Sequence, residues 1–523
     1  MALEHSGNPL SHPITGSAEQ AQTTTGRETV QTSSSGRTPL RVAVIGAGMA
    51  GILAAIKLRE HGLDCVVFEK ADRVGGTWRE NTYPGLACDV SAHWYTYSFA
   101  RNPEWKRPMA KGWELQEYFE RVARDHGCSP LIRFGDAVTR LEYLEGGWNL
   151  ETAARHRDRF DVVIAATGVL HHPNIPHFDG LESFSGAAFH SARWDHDVQL
   201  DGRRIGVIGT GSTAAQLTSA LVPRAARFDL FQRTAQWVSP RPNTDYTDEE
   251  RESFKDPAVL DRLVQQYRST AINGYATAVL DFDSPELAQI ERVCLENLNT
   301  VRDSELRKRL TPTYRAGCKR LVISNDFYEA IQKPNANLVT SLIERIEPRG
   351  VRTADGVLHE LDVLVLATGF HVDRFIRPAK VLGRGGVDLD VAWAEGPEAY
   401  LAVTIPDFPN FFMLNGPNSP VGNFSLIEVS ERQMDYILQL IGGLERGEYD
   451  EVSATKSAMR RFEDERRAAA MRTVWVTGCK SWYLDKQGVP ASWTFSYQRF
   501  VDEMTAPRME DFETRRRRIT VDA

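Results

Sequence analysis

Two glycine-rich turns carry the residues whose types and spacing bear most directly on chemistry. The first, Gly46-Ala47-Gly48-Met49-Ala50-Gly51, follows the apolar run RVAVI and leads into MAGILAAIKLREHG, and Glu69 closes the next apolar run, DCVVFE. Glycines let a backbone approach a pyrophosphate, a helix N-terminus attracts its charge, and a carboxylate at the following strand end accepts hydrogen bonds from ribose hydroxyls. The second, Gly209-Thr210-Gly211-Ser212-Thr213-Ala214, has the same context, but Arg233 in DLFQRT fills the strand-end position. A carboxylate there would repel a ribose 2′-phosphate, whereas a guanidinium pairs with it bidentately. One unit therefore suits an unphosphorylated ribose and the other a phosphorylated one, and FAD in the first with NADPH in the second is the simplest assignment.

The elements that must hold these turns are legible in the runs around them. RVAVIGAG, DVVIAATG, RIGVIGTG and DVLVLATG are short, β-branched and end in glycine, as parallel strands buried on both faces do. Two of them open into helix-like segments, the start of a βαβ unit. The expected fold class is α/β, with two Rossmann-like dinucleotide-binding domains. Residues 1–38, rich in Ser, Thr, Gly and Gln, read as a disordered leader. Residues 39–172 read as the first part of the FAD domain and 173–372 as the NADP domain, with a charged, helix-prone insertion at about 244–345. Residues 373–523 read as the second part of the FAD domain, ending in a C-terminal tail.

Composition narrows the function classes. A 523-residue chain that is 42% hydrophobic and 25% charged can bury several cores, and a net charge of -8 argues against nucleic acid as a partner. The run Arg515–Arg518 reads as a solvated tail. Six scattered cysteines without a C-x-x-C pair suggest reduced thiols in a cytoplasmic protein, with neither a metal site nor a redox disulfide. No secretory signal and no apolar run of about 18 residues is present, so no membrane partner is expected.

Between the two turns lies FSGAAFHSARWDHD, residues 184–197. Phe184, Gly186, His190, Trp194 and Asp195 fill the pattern FxGxxxHxxxW(P/D), and GGTWRENTYPGLACD (75–89) fills GGxWxxxxYPGxxxD. With the two fingerprints, these motifs make the chain similar, from about residue 40 to 500, to the type I Baeyer–Villiger monooxygenases, a branch of the class B flavoprotein monooxygenases. The resemblance implies hydride transfer from NADPH to FAD and capture of O2 as a C4a-peroxide. That peroxide attacks a small-molecule ketone to give an ester or lactone. His190 is then a hinge residue at the junction of two domains.

The family's roles carry over residue by residue. Arg320 in GCKRLVISNDFYEA would keep the peroxide and the later oxyanion negatively charged, since a guanidinium does not surrender its proton. Asp89 would orient Arg320 and reach the cofactors, while Lys319 would help Arg233 and Thr234 hold the 2′-phosphate. Thr77, Trp78, Tyr95 and Val138 fall at flavin-contacting positions. GCKSWYLDKQG (478–488) resembles a mobile active-site loop with Trp482 meeting nicotinamide or substrate, although the following ASWTFSYQRF departs from the family's usual W-P pair. Two alternatives stay open: an N- or S-oxygenating flavin monooxygenase, and a flavoprotein that is an NADPH oxidase or sensor.

Overall fold

Valine- and isoleucine-rich runs form central strands here because their branched side chains are covered on both faces: Val42, Val44, Ile205 and Val207 are all fully buried. In this computed structural model, which describes residues 38–516 apart from positions 423 and 482, those runs build two parallel five-stranded sheets. The leader (all but Thr38), Trp482, Arg517 and Arg518 lie outside the described residues.

In the first sheet Arg41–Ile45 pairs with Asp64–Phe68 on one side and Val162–Ala165 on the other. Ile132–Arg133 and Phe411–Met413 form its edges. The second sheet repeats that order: Arg204–Ile208 lies between Arg227–Phe231 and Val363–Leu366, with Ala336–Val339 and Ala187–His190 at the edges. Each glycine turn thus sits at the C-terminal end of a central strand, where an open α/β sheet presents its ligand crevice. The signature stretch contributes the edge strand Ala187–His190. Its lack of alternation follows from pairing with only one neighbour.

Helices Met49–Glu60 and Leu426–Glu445 pack together in the core beneath the first sheet, so the late part of the chain returns to its early part. The stretch 244–345 holds the helices Asp248–Ser253, Pro257–Ala271, Pro285–Leu298 and Ser304–Arg309. All four start on a capping side chain, Thr247, Asp256, Ser284 or Asp303, that accepts from the backbone of the first turn. The same stretch contains the strand Ala336–Val339 of the second sheet, so its helices end well before residue 345. Among the described residues no helix is long and apolar enough to cross a membrane.

One expectation is corrected. Cys318 and Cys479 are joined in a disulfide, with Cα atoms 6.2 Å apart, while Cys65, Cys88, Cys128 and Cys294 are free and buried. The partners stand 161 residues apart, and a search for nearby cysteine pairs does not see them; only the return of the C-terminal loop brings them together.

His93, just before Trp94 and Tyr95, is 1% exposed and packs against the rings of Tyr246, Phe254 and Tyr267. Burial, assisted by Arg101, lowers its pKa to about 4. Below its unfolded value near 6.5 the unfolded chain takes up a proton that the folded ring refuses, so stability falls with pH until about 4, by at most ~3 kcal/mol. The expected result is a thermal midpoint that declines from pH 7 to 4, with a shallower decline in His93→Gln. Parallel curves for the two proteins would remove His93 as the cause.

Candidate active site

The first glycine turn is shaped by contacts that leave no room for side chains. Gly46 has φ +102°, and a β-carbon there would stand 2.7 Å from the carbonyl of Ala166 in the ATG turn. A β-carbon on Gly51 would stand 1.8 Å from the carbonyl of Gly46. Gly48 faces Gly76 of the GGTW segment across the cradle: a β-carbon on Gly76 would meet Gly48 Cα at 2.9 Å. Glu69 is 5% exposed and braces the turn, its carboxylate accepting from the N–H groups of Ala47 (2.7 Å) and Ala71 (2.9 Å). Thr77 opens the helix Thr77–Glu80 beside this cradle. Trp78 meets Tyr95 edge-on, its indole N–H pointing to the phenol oxygen at 3.4 Å. Val138 begins the strand Val138–Leu144, two residues beyond Asp136, whose N–H donates to the Glu69 carbonyl.

The second turn is more open. Gly209 is pressed against Ala367 of the second ATG turn, yet a β-carbon on Gly211 would meet nothing within 4 Å. Ser212 and Thr213 begin the helix Ser212–Leu221. The Thr210 hydroxyl donates to the carbonyl of Thr234 at 2.9 Å, tying the turn to the strand end that carries Arg233. Arg233 is exposed and Lys319 half-buried, and Lys319 loses affinity for its proton through burial and the nearby Arg233 charge. Neither cation has a carboxylate partner among the described residues, so the pair presents concentrated positive charge at the mouth of the turn.

The segment 75–89 runs from one cradle to the other. The Tyr83 hydroxyl donates to Gln216 at 2.8 Å and accepts from Thr213 at 3.3 Å, both on the helix behind the second turn. Gly85, at φ +84°, lies against the Gln216 carbonyl, where a β-carbon would fall at 2.7 Å. The segment ends in Asp89, whose carboxylate accepts from Arg320 Nε (2.9 Å) and Nη2 (2.8 Å) in a bidentate pair. Their side chains are 21% and 30% exposed. Desolvation is the largest single influence and opposes the guanidinium's charge, but Asp89, Tyr483 and Tyr275 together outweigh it and the pKa is raised. The remaining nitrogen, Nη1, turns away from Asp89 toward Gly422 and Tyr483, since a β-carbon on Gly422 would stand 2.8 Å from Nη1 and 2.3 Å from the Tyr483 hydroxyl. Tyr275, from the π-helical turn Ile272–Ala276, brings a buried hydroxyl to the same place, where burial and then Tyr483 raise its pKa.

The signature stretch ties these parts together. A β-carbon on Gly186 would meet the Asp362 carbonyl at 2.3 Å and the Phe184 ring at 2.8 Å, which accounts for both residues in the motif. His190, 3% exposed, donates from Nε2 to the carbonyl of Gly369 (3.0 Å) and accepts at Nδ1 from Ala192 N–H (3.1 Å). Burial lowers its pKa, and the neutral ring commits both nitrogens to backbone. Trp194 packs edge-on against Phe189, and Asp195 accepts from Asp197 N–H. Arg193 lies 3.7 Å from Glu80, and His196 shares a 2.8 Å hydrogen bond with Thr82, so the stretch contacts the 75–89 segment.

Sequence reasoning passed over Tyr83, Gln216, Tyr275, Gly422 and Tyr483. The loop NGPNSPVG (415–422) offered one signal, a cluster of turn residues between an apolar strand and a helix. Asn415 and Asn418 there adopt left-handed backbones, and Asn418 Oδ1 and Ser419 Oγ are buried without a protein hydrogen bond.

Comparison with known proteins agrees with this architecture. Residues 39–249 match the flavin-binding monooxygenase-like family model. An uncharacterized monooxygenase of Mycobacterium tuberculosis is 46% identical over 484 residues, covering 92% of this chain and 97% of its own. A Baeyer–Villiger monooxygenase of Streptomyces coelicolor is 39% identical over 455 residues, 86% of this chain and 87% of its own. The solved structure of cyclohexanone monooxygenase from Rhodococcus sp. Phi1 bound to NADP+ superposes with a TM-score of 0.82 at 29% identity, covering 92% of this chain and all of that one. Relatives this similar over most of the chain show its family: the protein belongs to the Baeyer–Villiger monooxygenases of the flavin-binding monooxygenase family.

Proposed function

We propose that this enzyme binds FAD in the first cradle and NADPH in the second and inserts one oxygen atom of O2 beside a ketone carbonyl, giving an ester or lactone. The single observation that carries the reading is the Arg320–Asp89 pair, which keeps a permanent cation in place while leaving Nη1 turned toward Gly422 and Tyr483. The residues fit the two groups. Around the first cradle, closely facing glycine backbones, the buried Glu69 carboxylate and the unpartnered Asn418 and Ser419 oxygens suit a flavin nucleotide. Around the second, the open Gly211 and the Arg233–Lys319 pair suit a phosphorylated ribose.

Bound FAD supplies the two-electron chemistry that takes hydride from NADPH and activates O2. The chain's own residues supply placement and charge. Arg320 favours any anion that develops beside Nη1, because a fixed cation in a partly dry site needs no reorganisation when charge appears. Asp89 fixes the plane of the guanidinium and balances the cost of burying it. Tyr275 and Tyr483 cover the same space and exclude water from it. His190 holds the end of the edge strand Ala187–His190 to the Gly369 turn that follows its neighbouring strand.

Arg233→Ala is expected to raise the KM for NADPH by roughly 10–100-fold and leave that for NADH nearly unchanged, since only the 2′-phosphate uses the guanidinium. Equal losses with both nucleotides would remove that role. The function itself is tested by offering purified enzyme a panel of ketones and following NADPH oxidation with product identification. An ester or lactone formed in step with NADPH consumption is expected. Oxides from amines or sulfides, with no ester from any ketone, would favour the N- or S-oxygenating alternative. NADPH consumption that ignores every substrate and releases hydrogen peroxide would point to an oxidase.

A further inference from the structure

Two cysteines join the segment that carries Arg320 to the loop that covers it. Cys318 stands two residues before Arg320, and Cys479 opens the loop four residues before Tyr483. The far end of the loop is held at Pro490, whose carbonyl accepts from the buried Arg466, and Gln487 at its tip meets Arg467. That tip, from Leu484 to Pro490, closes on itself through Asp485–Val489 and Gly488–Asp485 hydrogen bonds, and Lys480, Lys486, Gln487 and Gly488 are exposed. Tyr483 is 1% exposed and packed on Trp475. The disulfide lies in that same small core with Trp475 and Tyr483, so it ties the start of the loop, with its Tyr483 anchor, to the Arg320 segment.

We propose that the Cys318–Cys479 disulfide is a reversible redox clasp that holds the loop 478–490 closed over Arg320 when formed and releases it when reduced. The proposal rests on the reading of Arg320 as the cation of the reacting centre. Closing the clasp removes two electrons and two protons from the thiol pair. With hydrogen peroxide as oxidant, one thiolate displaces hydroxide from the peroxide to give a sulfenic acid, and the hydroxide takes up the proton that the thiol had lost to become water. The second thiol then displaces another water to form the S–S bond, so one peroxide becomes two waters. A dithiol reverses the clasp by exchange. Hydrogen peroxide is what a flavin monooxygenase releases when reduced flavin meets O2 without productive transfer, so wasteful turnover of an open loop would generate the oxidant that shuts it. Burial does not single out the pair, since Cys318 (0% exposed) and Cys479 (7%) are as covered as the free thiols; what singles it out is the bond itself, which joins the Arg320 segment to the loop.

The test uses the FAD-loaded enzyme. Peptide mapping without reductant is expected to show Cys318 and Cys479 in one linked peptide after brief treatment with dilute hydrogen peroxide, and in separate peptides after a phosphine reductant. Limited trypsin digestion should cut after Lys480 and Lys486 at least tenfold faster in the reduced enzyme. Cys479→Ser and Cys318→Ser should cut at the fast rate whatever the redox treatment, with FAD content unchanged. Hydrogen peroxide released per NADPH consumed should rise at least threefold on reduction and return on re-oxidation. No linked peptide after peroxide treatment would overturn the clasp, and so would a linked peptide with equal digestion rates in both states. Mapping and digestion need no ketone turnover, so they read the clasp even if the proposed oxygenation fails. Reduction of the unsubstituted enzyme gives the same comparison should a serine variant not fold.

Discussion

Arg320→Ala is expected to lower ester formation by ~10²–10³ while FAD remains bound and NADPH still reduces it. The separation of effects follows from geometry. The proposed assignment gives flavin retention to the glycine cradle and Glu69 and nucleotide selection to Arg233 and Lys319, none of which uses Arg320 in the hydrogen bonds observed. What the alanine removes is the one cation paired with Asp89 among the described residues. It also leaves a largely buried carboxylate without its cation, a penalty a lysine would only partly relieve, because an ammonium cannot reproduce the two parallel bonds at 2.9 and 2.8 Å. Arg320→Lys should therefore retain some activity but fall clearly short of the parent. The measurements are anaerobic reduction by NADPH in a rapid-mixing spectrometer, which should be near normal, and product analysis in air, which should not. Ester formation within tenfold of the parent in Arg320→Ala would remove the arginine from the reacting centre.

Gly51→Ala is expected to cost the enzyme its flavin, at least ~100-fold in affinity, so that the protein is purified nearly colourless. The added β-carbon would lie 1.8 Å from the Gly46 carbonyl, a backbone atom with no rotamer to escape into. Gly46 has little room to retreat, because the Ala166 carbonyl lies 2.7 Å from where its own β-carbon would stand. The turn must therefore open, and the close backbone approach a pyrophosphate requires is lost. Gly211→Ala in the second turn is the matched control: its β-carbon meets no protein atom, so the chain should fold and stay yellow while NADPH binding weakens where the nucleotide would lie. The two variants are read by absorbance of the purified protein and by the KM for NADPH. A yellow Gly51→Ala enzyme with normal flavin content would show that the cradle is not the flavin site.

Both cradles were legible from a few consecutive residues. A strand, a glycine turn and a helix start are set by backbone torsions and side-chain branching over about ten positions, and Glu69 or Arg233 follows within one further strand, so type and spacing carry the information locally. The edge strand Ala187–His190 and the strand Ala336–Val339 were harder to read, since half-covered edges impose little alternation and the second lies beyond a run of helix-forming residues.

Nothing in the local pattern brings Asp89 to Arg320, 231 residues away, or Cys318 to Cys479, 161 residues away. The cost of closing a chain loop grows only with the logarithm of its length, so long separations neither favour nor forbid a particular partner. The choice is made by packing: the 75–89 segment docks through Tyr83 and Gly85 on the helix behind the second turn, which delivers Asp89, and the C-terminal loop buries Tyr483 beside Trp475, which delivers Cys479. The amino-acid order alone thus specified two glycine cradles, one with an acidic and one with a basic strand end. The folded core alone decided which distant side chains meet between them.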